Sequence, residues 1–426
     1  KGMDMIRSNL NSDKYIQAGL DIGSDKICCA ISEIDLKTDT VKLIGLGNSQ
    51  ATSINRGAIT HRDNLIDEIE HAIDEARTMS GISIESLSLG ISGEHIRGIN
   101  TQGAIAIGGA QSSNVPLQNE ITKSDVKKVL DLAKAISLPM DRDILHVLPQ
   151  EYVIDTMNSI KDPIGLTGRR LEAKVHVITV ATTAATNLVS CVEELGIRVE
   201  SIIYQGLASS ISTLNEDEKK LGVVSVDIGA STTDIVIYCE EGIQHTATLG
   251  IGGASITNDI AVMLQIGIDE AEKIKRKYAS AKASMSSADL EIELPAQNGN
   301  LKRKVSENQL SQYVEARMYE ILQLVMKEIS RANLDDKLTF GIVLTGGGSE
   351  LKNLSNLAQE ISNIKVRIGH PVNISGSVDI ASNPSFASVI GLTKWKYAED
   401  DLIIKKEEVT ISNAIGRVKS LFKELF

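Results

Sequence analysis

Aromatic residues are scarce in this chain: four Phe, eight Tyr and one Trp make up 3% of 426 residues. A core must therefore be built from aliphatic side chains, and a hydrophobic content of 42% is enough to supply them. Cysteine is scarcer. Cys28, Cys29, Cys191 and Cys239 form no C-x-x-C pair and lie in apolar patterns. They read as buried thiols of a reducing cytoplasm, and no spaced Cys/His cluster offers a zinc site. A basic excess is also missing. The net charge of −12 argues against unassisted nucleic-acid binding but leaves metal-bridged phosphate binding open. No apolar run reaches about 18 residues, so no membrane span is expected. The N-terminal stretch has no apolar h-region, so no secretory leader is expected. His61, His71, His95, His146, His176, His245 and His370 are scattered and support no metal or general-base role. Neither G-x-x-x-x-G-K-[ST] nor G-x-G-x-x-G occurs, and no Ser/His/Asp or Cys/His constellation has a recognisable context.

What is present is one uncommon pattern, twice. Ala18-Gly19-Leu20-Asp21-Ile22-Gly23-Ser24-Asp25-Lys26-Ile27 is an apolar strand, Asp-Ile-Gly, a polar turn and a second strand. Val226-Asp227-Ile228-Gly229-Ala230-Ser231-Thr232-Thr233-Asp234-Ile235 repeats it. A strand pair bent around Asp-x-Gly can wrap backbone N–H groups and hydroxyls around an anion. Asp21 and Asp227 are the candidates for holding hydrated Mg²⁺ between the halves. Gly23, Ser24 and Lys26 in the first turn, with Gly229, Ala230, Ser231, Thr232 and Thr233 in the second, would surround β- and γ-phosphates. Asp25 makes the first loop less positive, so its donors are expected to be mainly backbone. A third segment, Gly341-Ile342-Val343-Leu344-Thr345-Gly346-Gly347-Gly348-Ser349-Glu350, is a strand ending in three glycines. Gly346, Gly347, Gly348 and Ser349 could let an adenosine lie flat on the backbone. Each motif alone also reads as an ordinary turn; the three in this order point to a nucleotide.

The length implies two to four modules. Strands are expected at residues 16–20, 27–34 and 41–46. A helix follows with Leu65, Ile69, Ile73 and Ala76 on one face and Gly81 as a stop signal. Residues 223–228, 235–239 and 243–249, then a helix through Ile256, Ile260 and Leu264, repeat that plan. The expected division is a first core of residues 15–84 and 173–221, interrupted by an inserted module at 85–172 with its own helix at 123–136. A second core covers 222–243 and 335–397, interrupted by a mostly helical module at 244–334. In that module a helix is expected to begin with a capping box at Ser306-Glu307-Asn308-Gln309. It carries Leu310, Val314, Met318, Ile321, Val325 and Ile329 on one face, as ordinary core packing. A helix at residues 384–397, capped by Asn383, is expected to return to the second core. Residues 398–412 read as a charged linker.

The last fourteen residues, 413–426, are the second informative feature. Ile415, Val418, Leu421, Phe422, Leu425 and Phe426 fall at helical spacing, flanked by Arg417, Lys419 and Lys423. A basic amphipathic end after a charged linker reads as an interfacial helix on anionic membrane lipid. The alternative is a helix docked on the protein's own core or in a partner groove.

The order of two phosphate hairpins and an adenosine loop resembles the actin, Hsp70 and sugar-kinase superfamily. Within it, the chain is most similar to the FtsA family of bacterial cell-division actin homologues. The matching stretches are Gly19-Leu20-Asp21-Ile22-Gly23, Gln205-Gly206-Leu207-Ala208-Ser209-Ser210, Gly222-Val223-Val224-Ser225-Val226-Asp227-Ile228-Gly229, Thr345-Gly346-Gly347-Gly348-Ser349 and the terminal amphipathic segment. The resemblance covers nearly the whole chain, residues 15–426. The resemblance implies an α/β actin-like ATPase fold of two duplicated ribonuclease H-like halves. Each half carries an added subdomain, and a C-terminal amphipathic helix follows. It implies ATP and Mg²⁺ as ligands, with slow or absent hydrolysis. By that resemblance Gln205 presents its side chain to a water near the γ-phosphate, although a polar residue at a helix start is also an ordinary cap. Glu272 and Lys275, at i and i+3, bracket ribose and adenine in Hsp70-like relatives, and equally read as a solvated ion pair. Gly206 is expected to allow close crossing of the two connecting helices. The implied partners are the C-terminal peptide of FtsZ on module 244–334, other copies of the chain in a filament, later division proteins on the inserted module, and the cytoplasmic membrane at the septum. The basic residues Lys273, Lys275, Arg276, Lys302, Arg303 and Lys304 could attract an acidic peptide. Rival readings are another actin-like filament protein, a small-molecule kinase of the same superfamily, and an Hsp70-like chaperone. The chaperone would need a substrate domain, and few residues remain after 397 to form one.

Overall fold

The computed structural model describes residues 14–35, 40–108, 120–240, 242–295, 303–376 and 382–402. The residues expected to form most of the linker and all of the amphipathic end, 403–426, lie outside the described residues.

Two mixed sheets form the frame. The first has the order Arg198–Tyr204, Ser86–Ile91, Lys14–Ile22, Lys26–Asp35, Thr40–Gln50, Ile374–Gly376. The second runs Gly242–Leu249, Thr233–Cys239, Val223–Ile228, Ile342–Thr345, Val366–Ile368. In each, three antiparallel strands adjoin parallel ones, so the halves share a plan. Helix Arg62–Ser80 covers the first sheet with the expected face, burying Leu65, Ile69, Ile73 and Ala76. It ends where Gly81 turns left-handed at φ 70°. Burying each of the Leu and Ile side chains contributes roughly 1.5–3 kcal/mol, and Ala76 less.

The inserted module is a separate antiparallel sheet, Arg97–Ala106, Arg170–Ala181, Arg142–Ile154, Met157–Ile160, with helix Lys123–Lys134 packed on it. Thr122 caps that helix in a two-way box with Asp125. The expected cut points need correction. Strand Ser86–Ile91 belongs to the first sheet, and Arg170–Ala181 belongs wholly to the inserted one. Strand Gly242–Leu249 is the edge of the second sheet rather than part of the added helical module. Alternating or continuous apolar patterns identify strands but not the sheet they join.

In the added module, helix Glu307–Ala332 buries the whole expected stripe. Its N-cap is half of the expected box: Ser306 accepts from the Gln309 N–H at 3.1 Å, while the Gln309 side chain donates to Tyr313 instead. The last described helix, Ala387–Leu402, starts after a turn in which Asn383 Oδ1 accepts from the Ser385 N–H at 2.7 Å. It continues into the stretch expected to be linker. It packs mainly against helix Gln205–Thr213 and the first sheet, and it reaches the second core through Ser388 Oγ, which donates to Asp227 Oδ2 at 2.8 Å. The two helices cross at Gly391, where an added Cβ would lie 1.8 Å from the Ala208 carbonyl oxygen. The close-crossing role expected of Gly206 therefore falls on Gly391. All four cysteines are buried and free. Among the described residues no helix is long and apolar enough to cross a membrane.

Candidate functional site

The two Asp-Ile-Gly turns are built alike. In the first, the Gly23 N–H donates to the Lys26 carbonyl at 3.1 Å; in the second, the Gly229 N–H donates to the Thr232 carbonyl at 2.9 Å. They face each other across a cleft. Ser24 Oγ and Ser231 Oγ lie 2.6 Å apart, and Ser231 Oγ also accepts from the Arg56 N–H at 3.0 Å. Lys26 reaches the base of the last helix, donating to Ser385 Oγ at 2.9 Å and lying 3.8 Å from the centre of the Phe386 ring. Thr233 does not reach this cleft by its hydroxyl, which is buried and donates to the Ile251 carbonyl at 2.8 Å. Ala230 and Gly229 accept, through their carbonyls, from the Ala254 and Gly253 N–H groups. The start of helix Gly253–Leu264 is thereby fixed on the second turn.

Carboxylates converge behind the turns. Gln205 Nε2 donates to Asp21 Oδ1 and, at 3.3 Å, to the Ile22 carbonyl. Gln205 makes no side-chain cap: its helix starts after Tyr204, and the amide is spent on the first hairpin. Asp227 accepts from Ser388 Oγ at 2.8 Å. Burial raises its pKa, partly offset by hydrogen bonds from Ser388 and Ser209. Burial first, then the Asp227 charge, pushes Asp21 up to about 7, with Lys26 pulling the other way. A third carboxylate, Asp234, was not anticipated. It is the cross-strand partner of Asp227, and its pKa is likewise pushed up to about 7 by burial and by Asp227. Both Asp234 oxygens accept from Ser92 Oγ at 2.7 Å, a bond between the two halves, and Oδ1 also accepts from Thr248 Oγ1 at 2.7 Å. The signal for it was a single charge inside the otherwise uncharged strand Thr233–Cys239.

The glycine loop follows strand Ile342–Thr345, which is parallel to Val223–Ile228. Gly346 has φ 81°, and a Cβ there would sit 2.1 Å from Asp227 Oδ1. The loop is thus folded directly onto the second hairpin. Gly347 is exposed and open, with only Ser385 Cβ within 4 Å of an added Cβ, at 3.8 Å. Ser349 is buried, and its hydroxyl closes the loop on the Gly346 carbonyl at 2.7 Å, so it shapes the loop rather than presenting a donor. A cavity of about 470 Å³ borders this loop, lined by Ser349, Glu350, Leu351, Asn353, His370 and Asn383 among others, and by no residue of either hairpin.

Glu272 and Lys275 pair at 2.6 Å and are not a freely solvated couple. Lys275 Nζ also donates to the Gly253 carbonyl at 3.1 Å and Thr257 Oγ1 at 2.8 Å. Burial pulls the Glu272 pKa up, but Lys275 and hydrogen bonds from Lys275, Thr257 and Arg276 hold it below the usual value. Their helix, Ile268–Tyr278, leads into a segment tied to the glycine loop's continuation. There the Ala281 N–H donates to the Lys352 carbonyl at 2.8 Å, and Asn353 Nδ2 donates to Ser280 Oγ at 3.0 Å.

Among the described residues no three acidic, His or Cys side chains converge to hold a metal alone. The pair of half-buried Asp21 and buried Asp227, each disfavoured as an anion by the other or by desolvation, suits a divalent cation whose remaining ligands are phosphate and water. The glycine loop, which has no room for a Cβ beside Asp227, suits a flat ligand lying close to the backbone. A pH dependence follows. Asp21 rises from its ordinary 3.8 to about 7 on folding. The folded state therefore holds the extra proton between these values, and this contribution to stability is lost as pH rises through about 7. Asp21→Asn is expected to melt higher than the parent chain at pH 8 in chelator, by roughly 1 °C per kcal/mol of repulsion relieved for a chain of this length. The difference should shrink toward pH 5. A lower melting temperature at pH 8 would contradict the assignment.

Comparison with known proteins extends this picture. The family described as Cell division protein FtsA matches residues 224–391, and the SHS2 domain inserted in FTSA matches residues 93–179. The Cell division protein FtsA of Pseudomonas aeruginosa is 39% identical over 388 residues, covering 91% of this chain and 90% of that protein. That of Escherichia coli is 35% identical over 391 residues, covering 90% and 91%. Among solved structures, a PilM-PilN type IV pilus biogenesis complex aligns with a TM-score of 0.61 at 15% identity, over 88% of this chain and 97% of its own. An MreB protein of Spiroplasma citri bound to ADP aligns with a TM-score of 0.53 at 14% identity, over 91% and 97%. At such identities these two structures speak for the fold alone. It is the actin-like ATPase fold, and, on the strength of its relatives, the chain belongs to the FtsA family of cell division proteins.

Proposed function

We propose that this chain is an ATP-binding, actin-like division protein that polymerises on the cytoplasmic face of the membrane at the septum. There it anchors the FtsZ ring and recruits later division proteins. The observation that supports this most is the pair of facing hairpins with Asp21, Asp227 and Gly346 at their junction. Mg²⁺ would supply the positive charge that the two carboxylates and a triphosphate lack. Asp21 and Asp227 would hold it, the turn N–H groups with Ser24, Ser231 and Thr232 would bind phosphate, and Gly346, Gly347 and Gly348 would carry the adenosine. Gln205 donates both its described bonds from Nε2, which leaves Oε1 to accept from a water. Among the described residues it is the one water-orienting candidate assigned, so hydrolysis is slow or absent.

The FtsZ peptide is assigned to the added module by family kinship. The positive charge expected to attract it is largely spent inside the module. Lys273 pairs with Glu270 at 3.7 Å, Arg276 with Glu272 at 2.6 Å and Lys304 with Glu291 at 2.5 Å; Arg303 donates to the Gln265 carbonyl at 3.3 Å. Lys302 lies outside the described residues. Peptide binding should accordingly depend only weakly on salt. The test titrates a fluorescent FtsZ C-terminal peptide into the full chain with Mg-ATP and follows phosphate release in the same sample. Saturable binding with turnover far below the roughly 10 s⁻¹ median of enzymes supports the reading. Absence of binding, or turnover at that median, contradicts it.

A further inference from the structure

The two halves also meet at the outer edge of the cleft, through charge. Asp25 stands in the turn of the first hairpin. Arg276 stands on helix Ile268–Tyr278 of the added module, 251 residues away in sequence. The Arg276 Nη2 donates to Asp25 Oδ2 at 2.9 Å. The same guanidinium donates from Nε to Glu272 Oε1 at 2.6 Å, so it is already oriented before it reaches across. Glu272 is in turn fixed by Lys275 at 2.6 Å. A chain of charges, Lys275–Glu272–Arg276–Asp25, therefore runs from the start of helix Gly253–Leu264 to the first phosphate turn. Immediately beside Asp25, Ser24 meets Ser231 at 2.6 Å. The Arg276 and Asp25 side chains are 62% and 40% exposed, so water and salt reach the outer link while the serine contact behind it is partly buried.

We propose that Asp25 and Arg276 form a clamp across the mouth of the cleft that sets how long a bound nucleotide stays. The inference rests on the nucleotide reading above. A ligand held between the two turns can leave only if the turns separate, and separating them breaks this pair. The pair does not touch the phosphates in this reading. Its effect falls on release and spares the chemistry of binding: Asp25 and Arg276 are positioning residues. An exposed pair is individually weak. Here one partner is pre-oriented by Glu272, which lowers the entropy of holding the geometry.

The experiment loads the full chain with a fluorescent N-methylanthraniloyl-ATP and Mg²⁺, chases with excess ATP, and reads the release rate at 50 mM and 500 mM salt. Asp25→Asn and Arg276→Gln are each expected to release about threefold to tenfold faster at low salt. The double variant should be no faster than either single one, because both remove the same link. Release from the parent chain should accelerate with salt, and release from the variants should not. A merely structural role would not produce that loss of salt dependence. Loading of the parent chain with unchanged release in the variants overturns the clamp alone. Failure of the parent chain to load overturns the nucleotide reading and the clamp with it.

Discussion

Gly346→Ala is expected to lower Mg-ATP affinity at least a hundredfold while leaving the secondary structure in place. The added Cβ would sit 2.1 Å from Asp227 Oδ1 and 2.7 Å from the Ile228 carbonyl oxygen. No carbon fits at those distances. The residue also sits at φ 81° and ψ 170°, a region essentially reserved for glycine, which an L side chain adopts at a cost of roughly 1–3 kcal/mol. Relief requires the glycine loop to lift from the second hairpin, which separates the adenosine surface from the Asp227 carboxylate. A hundredfold loss corresponds to about 2.7 kcal/mol, well within the combined strain and lost contact. Gly347→Ala, on the same proposed adenosine surface, separates a methyl facing the ligand from one that displaces the loop, and is expected to cost much less. An added Cβ there has only Ser385 Cβ within 4 Å, at 3.8 Å, so the loop can stay where it is. Calorimetric titration of both variants, with circular dichroism to confirm folding, checks this. Equal affinities for the two would show that the contact between loop and hairpin does not shape the site.

Removing residues 413–426 is expected to release the protein from liposomes of anionic lipid while leaving nucleotide binding intact. Six apolar side chains in that stretch would each contribute roughly 1.5–3 kcal/mol if fully buried. Burial in an interface is partial, and ordering the helix costs roughly 1–2 kcal/mol per residue in backbone entropy. The acidic body, at −12, opposes approach to anionic lipid within about one Debye length, about 8–10 Å. One tail would therefore hold weakly, and many tails carried by one filament would hold through avidity. Phe422→Glu should behave almost like the truncation, because it places a charge in the middle of the apolar stripe. Co-sedimentation of Phe422→Glu at the parent level under assembling conditions would instead favour a tail docked on the protein.

The parts of this architecture that local chemistry dictates were legible in the sequence. Asp-x-Gly between apolar strands marked both hairpins, because glycine permits the tight turn and the repeat of the pattern singled the two out. The 3.6-residue spacing of Leu65, Ile69, Ile73 and Ala76 and of the stripe in helix Glu307–Ala332 identified buried faces correctly. What stayed hidden depends on partners distant in sequence. Ser92 and Asp234 are 142 residues apart and Asp25 and Arg276 are 251 apart, so no local pattern announces either bond. Helix Ala387–Leu402 packs on the first sheet and, through Gly391 against Ala208, on helix Gln205–Thr213, contacts that its own residues do not announce. The Ser349 hydroxyl looked available for a ligand because nothing in its neighbourhood shows that the Gly346 carbonyl will claim it.

The central claim is that the two hairpins and the glycine loop hold a magnesium nucleotide between them. Isothermal calorimetry of ATP against the full chain, run once in Mg²⁺ and once in chelator, tests it most directly. The account predicts one site per chain, with binding that collapses in chelator because Asp21 and Asp227 would then face the triphosphate without a cation. Absence of binding in Mg²⁺, or equal affinity in the two buffers, would contradict it.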